Sequence, residues 1–238
     1  LTHPVVFVSD VHLGVDPGVS NRFASFLESL HDEVTIVSLG DLVDLWAEGP
    51  GWDFGDRYPE LERLAGRRVL FLPGNRDFLM GERWRSRFGG RLLDDPCELH
   101  IGGRRVLATH GDLLLTADRR YRLWRGIARS RTFKHLGGRL GPRLALRLAG
   151  GLRAGSQREI ARKSRATMAL DRAAAADFLA DRDLLVCGHV HRPERSPLGA
   201  GELIVLGAWD QGGEVLLVAD DGLWFGRPED LPLRRRSG

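Results

Sequence analysis

Short apolar runs recur along the chain, separated by stretches whose apolar positions follow a helical period. Residues 5–9 (VVFVS), 34–40 (VTIVSLG) and 68–74 (RVLFLPG) are nearly unbroken apolar runs, too short for helices and suited to buried strands. Residues 21–30 place Phe23, Phe26, Leu27 and Leu30 on one helical face, and residues 58–64 and 80–88 predict further helices. CELHIGGRRVLATHG (97–111) predicts a hairpin turning at Gly102-Gly103. An alanine-rich helix is expected over 171–180, followed by a buried strand, DLLVCG (183–188). The tail segments ELIVLG, EVLLVADDG and LWFG predict strands joined by glycine turns. Strands alternating with helices predict a layered α/β fold, two packed sheets with helices outside. No internal repeat or low-complexity linker interrupts it.

Composition bounds the class. The 238 residues are 42% hydrophobic and 28% charged, which fits one globular domain, with or without an insertion. Cys97 and Cys187 lie in apolar contexts and are too few for a disulfide framework, so a reducing cytoplasm is expected. The opening LTHPVVFVSD lacks a basic region and a cleavage site and reads as a first strand rather than a signal peptide. No stretch approaches the ~20 apolar residues of a spanning helix.

Charge changes the picture more. Between residues 119 and 165 there are 15 Arg or Lys and one acid, Glu159, a local charge of +14; with a total of +3, the rest of the chain carries −11. The preference for Arg over Lys runs through the whole chain, where the only lysines are Lys134 and Lys163. The loss of acids from this one segment points to an anionic partner.

The candidate chemistry sits at strand ends. The first run ends in SDVHLG (Asp10, His12), the second in GDLVD (Asp41) and the third in PGNRDF (Asn75, Arg76). The hairpin ends in THGD (His110) and the late strand in GHVH (His189, His191). Ligands collect at the carboxyl ends of strands in α/β sheets, and glycine beside a donor permits close backbone approach. Each fragment alone is common. Together, five strand ends bearing nitrogen and oxygen donors predict a metal site. His3, His31, His100 and His135 read as packed or surface residues, and Asp44 and Asp77 as helix caps.

In this order, D-x-H, G-D, G-N, H-G-D and G-H-x-H resemble the calcineurin-like metallophosphoesterases. The resemblance implies an αββα two-sheet sandwich of residues 1–117 and 166–238, with residues 118–165 inserted as a basic helical lid. It also implies two divalent ions. Asp10, His12 and His191 would hold one, Asn75, His110 and His189 the other, with Asp41 bridging. Imidazole, carboxylate and amide donors suit Mn, Fe, Co or Zn better than Ca, and manganese is the expected ion. Such a pair activates water for in-line attack on a phosphoester or phosphoanhydride.

One departure narrows the choice. The family's usual G-N-H becomes Gly74-Asn75-Arg76, and arginine does not donate protons at neutral pH but clamps phosphate oxygens. GNRDF resembles the subfamily of UDP-2,3-diacylglucosamine pyrophosphatases of lipid A biosynthesis. HGDLLLTADRRY (110–121), ARKSRATM (161–168) and LGAWDQGG (206–213) are similar to further motifs of that subfamily. The resemblance implies an acylated UDP-sugar as substrate, contacted by Asn75, Arg76, Asp118, Ser156, Lys163 and His189, with Asn75, Arg76 and His189 at the chemistry. Ile160 stands where the subfamily has a polar residue. Leu123, Trp124, Ile127, Leu140, Leu144 and Leu148 recur at helical spacings between arginines. They would face acyl chains while the arginines meet phosphate or the anionic cytoplasmic face of the inner membrane, where a cytoplasmic enzyme would bind peripherally. Ordinary helical-hairpin packing is the alternative. Another metal-dependent phosphodiesterase or a nuclease of the same superfamily is the alternative activity; a nuclease would need interleaved aromatics, which the basic segment lacks, so no nucleic-acid partner is expected. A non-catalytic scaffold would have lost ligands, whereas all seven positions are filled. No obligate protein partner is evident.

Overall fold

The computed structural model describes residue 1 and residues 4–116, 141–147 and 170–233. β1 (Val5–Val8) pairs in parallel with β2 (Thr35–Ser38), and β2 in parallel with β5 (Arg68–Phe71). The short β6 (Arg91–Leu92) extends this sheet beyond β5. On the other side β12 (Val215–Ala219) runs antiparallel to β1, and β13 (Gly222–Gly226) closes the edge, giving the order β13-β12-β1-β2-β5-β6. The second sheet contains β7 (Cys97–Ile101), β8 (Arg104–Ala108), β9 (Leu184–Cys187), β10 (Glu194–Leu198) and β11 (Gly201–Val205), ordered β10-β11-β9-β8-β7.

The apolar runs are unbroken because both faces of their strands are covered. Alternation assigns Val5 and Phe7 to one face of β1 and Val6 and Val8 to the other. Val5, Phe7 and Val37 pack between the sheets against Val106, Ala108, Leu184, Val186 and Ile204. Val6, Val8 and Ile36 pack outward onto Phe23, Phe26 and Leu27 of α1 (Pro17–Ser29). On the far side, Leu107, Leu185 and Leu203 meet Ala175 and Leu179, which belong to α3 (Arg172–Leu179). The layers are therefore helix, sheet, sheet, helix, as expected.

Several boundaries differ from the sequence reading. α1 starts earlier, because Pro17 opens it and Asp16 Oδ1 accepts the Gly18 N–H at 2.7 Å. Residues 59–64 form 3-10 turns instead of an α-helix; Leu61 and Leu64, both buried, stand three apart, the spacing that eclipses in a 3-10 turn. The ribbon of β3 (Glu48–Gly49) and β4 (Trp52–Asp53), β6, and the edge strand β10 carry no sequence signal. The first three are two residues long, and Pro197 sits within β10, a placement open only to an edge strand.

Glu48 ties the ribbon to α2 (Glu82–Phe88). Its carboxylate accepts the Arg83 and Trp84 main-chain N–H groups at 3.1 and 3.0 Å and the Trp46 indole N–H at 2.9 Å. A helix whose own N-cap residue, Gly81, offers no side chain is thus capped from across the chain.

Most of residues 118–165, and with it Leu123, Trp124, Ile127, Leu140 and Leu148, lies outside the described residues. Within 141–147, Ala145 is buried against the α1 side of the core, while Leu144 and Leu146 are exposed. Among the described residues no helix is long and apolar enough to cross a membrane.

Candidate metal centre

β1, β2 and β5 are mutually parallel in one sheet, and β8 and β9 are parallel in the other. Their carboxyl ends meet at one rim of the sandwich. The Asp10 N–H donates to the Gly40 carbonyl at 3.1 Å, the His12 N–H to the Asp41 carbonyl at 3.0 Å, and the Gly188 N–H to the His110 carbonyl at 3.0 Å. Main-chain bonds thus lock neighbouring donor loops to each other before any side chain is considered.

The backbone at the rim is strained. Asp10, His12, Asp41, His189 and His191 all have positive φ, between 51° and 68°. Non-glycine residues pay about 1–3 kcal/mol for such conformations, which persist only where surrounding structure enforces them. Five of the seven expected donors adopt it, so the sharp turns aim successive side chains into one space. Space is limiting as well: a Cβ on Gly188 would lie 1.9 Å from Ser9 Oγ and 2.4 Å from Asp10 Oδ2.

Two overlapping triads result. Ligand atoms of Asp10, His12 and His191 lie within 4.8 Å of one another, and so do those of Asp10, Asp41 and His110. His191 Nε2 is 3.2 Å from Asp10 Oδ1, and His12 Nε2 is 3.5 Å from Asp41 Oδ2. Asp10 Oδ2 accepts the Ser9 hydroxyl at 2.6 Å and the His189 N–H at 2.8 Å. Asp41 Oδ1 accepts the N–H groups of Asn75 and Arg76 at 2.6 and 2.9 Å. Asn75 Nδ2 lies 3.1 Å from His189 Nδ1, and the His110 and His189 rings are 4.9 Å apart. His110 Nδ1 lies 2.8 Å from the Leu39 carbonyl; donating there leaves the lone pair on Nε2.

The electrostatics favour a cation. Burial alone would neutralise Asp10, but the hydrogen bond and charge of His191, with His110, hold its carboxyl well below the usual range. Burial also opposes ionisation of Asp41, and His110, His12 and Arg76 outweigh it. Burial and the neighbouring His110 push His189 down to about 4, so its imidazole is neutral and can act as a ligand. Burial likewise pulls His191 down, but the hydrogen bond and charge of Asp10 raise it overall. Two ionised carboxylates buried side by side among imidazoles form a donor set that fits divalent transition ions.

Arg76 is held at every point by one loop. Its N–H reaches Asp41, its carbonyl accepts the Trp46 N–H at 3.0 Å, and its Nη1 donates to Asp44 Oδ1 at 2.6 Å. Its Nε lies 3.8 Å from Asp41 Oδ2. Asp44 is therefore the arginine's anchor, not a helix cap. Asp77 is not a helix cap either: it accepts main-chain N–H groups from Leu42 and Gly74. Ser9 and Asp95 are further supports to which the sequence reading gave no role, and Trp209, the tryptophan of the LGAWDQGG motif, is another. Asp95 Oδ1 accepts the Thr109 hydroxyl at 2.7 Å and the His110 N–H at 3.1 Å. The Trp209 N–H donates to the Asp10 carbonyl at 3.2 Å, and its ring packs edge-on against Phe23. Asp118, Ser156, Ile160 and Lys163 lie outside the described residues.

Comparison with known proteins agrees with this geometry. Residues 3–193 match the calcineurin-like phosphoesterase family. The UDP-2,3-diacylglucosamine hydrolase of Shewanella pealeana is 34% identical over 226 residues, covering 92% of this chain and 95% of its own. That of Aeromonas salmonicida is 35% identical over 225 residues, covering 89% of this chain and 88% of its own. That of Ralstonia nicotianae is 35% identical over 227 residues, covering 87% and 84%. With a buried donor set at the shared rim of two sheets, the chain belongs to the calcineurin-like phosphoesterases, metal-dependent hydrolases, in the group that holds the UDP-2,3-diacylglucosamine hydrolases.

Proposed function

We propose that the chain hydrolyses the pyrophosphate of UDP-2,3-diacylglucosamine, giving UMP and 2,3-diacylglucosamine 1-phosphate for lipid A synthesis. The observation that carries this reading is similarity to hydrolases of that name over nearly the full length of both chains. Asp10, His12 and His191 would hold one cation and Asn75, His110 and His189 the other, with Asp41 between them and manganese the favoured ion. The chemistry such a pair supplies when bound is neutralisation of phosphoryl oxygens and acidification of water.

The chain's own residues divide the remaining work. Asp10 and Asp41 stay ionised, and His189 stays neutral, at neutral pH. Arg76 brings a planar guanidinium fork to the site in place of the family's usual histidine. Held by Asp44 beside Asp41, it is placed to clamp oxygens of the reacting phosphate. Loss of the usual histidine proton donor suits an anhydride. Attack at the α-phosphate expels a sugar phosphate, and a phosphate monoester with a second pKa of about 6 leaves without prior protonation.

Residues 118–165 are assigned as the lid, with Asp118, Ser156 and Lys163 as substrate contacts. The charge of +14 between residues 119 and 165 would hold the enzyme peripherally at the inner membrane, each basic residue contributing about 1 kcal/mol near an anionic surface. The test is release of UMP from UDP-2,3-diacylglucosamine with and without chelator. Release that stops with chelator and returns with manganese is expected. Equal hydrolysis of an unacylated UDP-sugar would contradict the acyl-binding lid, and chelator-resistant release would contradict the metal centre.

A further inference from the structure

We infer that Asp77 is a positioning residue that sets the spacing between the two loops carrying Asp41 and Asn75. The inference rests on the reading of these two residues as metal ligands. Asp77 is almost wholly buried, and its two carboxylate oxygens serve different loops. Oδ2 accepts the Leu42 N–H at 2.8 Å, and Leu42 follows Asp41 directly. Oδ1 accepts the Gly74 N–H at 2.6 Å, and Gly74 precedes Asn75 directly. One rigid carboxylate therefore staples the residue after one ligand to the residue before the other.

The staple has a second half. Asp41 Oδ1 crosses the same gap in the opposite direction, accepting the N–H groups of Asn75 and Arg76 at 2.6 and 2.9 Å. The loops are close enough that a Cβ on Gly74 would stand 2.3 Å from Asp41 Oδ1. Two carboxylates thus join the pair of loops through three main-chain N–H groups, those of Leu42, Asn75 and Arg76, while the Gly74 N–H fixes the Asp77 carboxylate within its own loop. Asp41 has a further oxygen, Oδ2, toward His12 and Arg76, whereas both Asp77 oxygens bond to the frame. The Asp77 main chain also shapes the turn beyond, its carbonyl accepting the Met80 N–H at 3.0 Å. Burying a second carboxylate beside Asp41 is unfavourable, and an apolar residue would fill the space without that cost. Main-chain donors on both loops account for an acid here.

Asp77→Asn keeps the shape but turns an amide NH2 toward a main-chain N–H, so one strap is lost and that loop shifts. Mn2+ titration of the full-length protein by calorimetry, paired with thermal denaturation of each apo variant, tests the assignment. Supporting residues of metal ligands typically change affinity about 10–100-fold, and a loss in that range is expected for Asp77→Asn. If that variant does not fold, Asp77→Glu carries the test: it keeps both oxygens but displaces them, and at least about a threefold loss is expected, scaled below that range. Native Mn2+ affinity in a folded variant, whatever its melting temperature, would assign Asp77 to the fold alone and overturn the inference. Failure of the unsubstituted protein to bind Mn2+ would instead overturn the metal reading itself.

Discussion

Arg76 shows how one side chain changes the chemistry open to a shared site. Three contacts with the 41–46 loop fix its position, so its charge is delivered beside Asp41 without a search through rotamers. Arg76→Lys retains the charge and loses the planar fork. The expected result is a fall in kcat/KM of roughly 10–100-fold, the loss of one charge-assisted contact of about 1.5–3 kcal/mol. Manganese stoichiometry should be unchanged in the same variant. Steady-state assays and metal analysis check both, and loss of metal would reassign Arg76 to the fold. The seven candidate donors could be picked out in the sequence because each stands at a strand end, most beside a glycine in a short motif; five of them, Asp10, His12, Asp41, His110 and His191, fall into the two clusters of ligand atoms. The roles of Asp44, Asp77, Asp95 and Ser9 could not be read in the same way. Asp77 stands inside the GNRDF motif, but its bond to the Leu42 N–H, like the bonds of Asp95 to Thr109 and His110, joins loops well separated in sequence, and no motif names such a partner.

At the scale of elements, the chain resolves its helix ends by different routes. Asp16 caps α1 and Asp171 caps α3 from immediately before the helix, and the Asp171 carboxylate accepts the Ala173 and Ala174 N–H groups at 3.0 and 3.1 Å. α2 borrows Glu48 from the β3 ribbon. Glu48→Ala strips acceptors from Arg83, Trp84 and the Trp46 indole, with an expected loss of about 2 kcal/mol, or roughly 4–8 °C in Tm for a chain of this size. Thermal denaturation measures it, and an unchanged Tm would show that the ribbon does not support α2. The long strands and α1 were legible because both faces of the strands, and one stripe of the helix, are apolar. The 3-10 turns at 59–64 were read as a helix because leucines spaced by three satisfy either geometry over so short a stretch. β3, β4 and β6 are too short for alternation to declare itself.

At the scale of the whole molecule, the site belongs to neither sheet alone. β1, β2 and β5 deliver Asp10, His12, Asp41 and Asn75, while β8 and β9 deliver His110, His189 and His191. The apolar layer between the sheets, from Phe7 and Val37 to Val186 and Ile204, therefore sets the distance between the two groups of candidate ligands. α1 contributes from outside, because Arg22 donates to the Trp209 carbonyl and Trp209 in turn holds the Asp10 carbonyl. Fold stability and the geometry of the candidate site are coupled through these contacts. The most direct measurement is anomalous scattering at the manganese edge from crystals of the full chain grown with Mn2+. Two peaks about 3.5–4 Å apart are expected, with Asp41 between them, one beside His12 and His191 and one beside His110 and His189. No peak at that rim, or a single ion away from Asp41, would contradict the paired-cation centre.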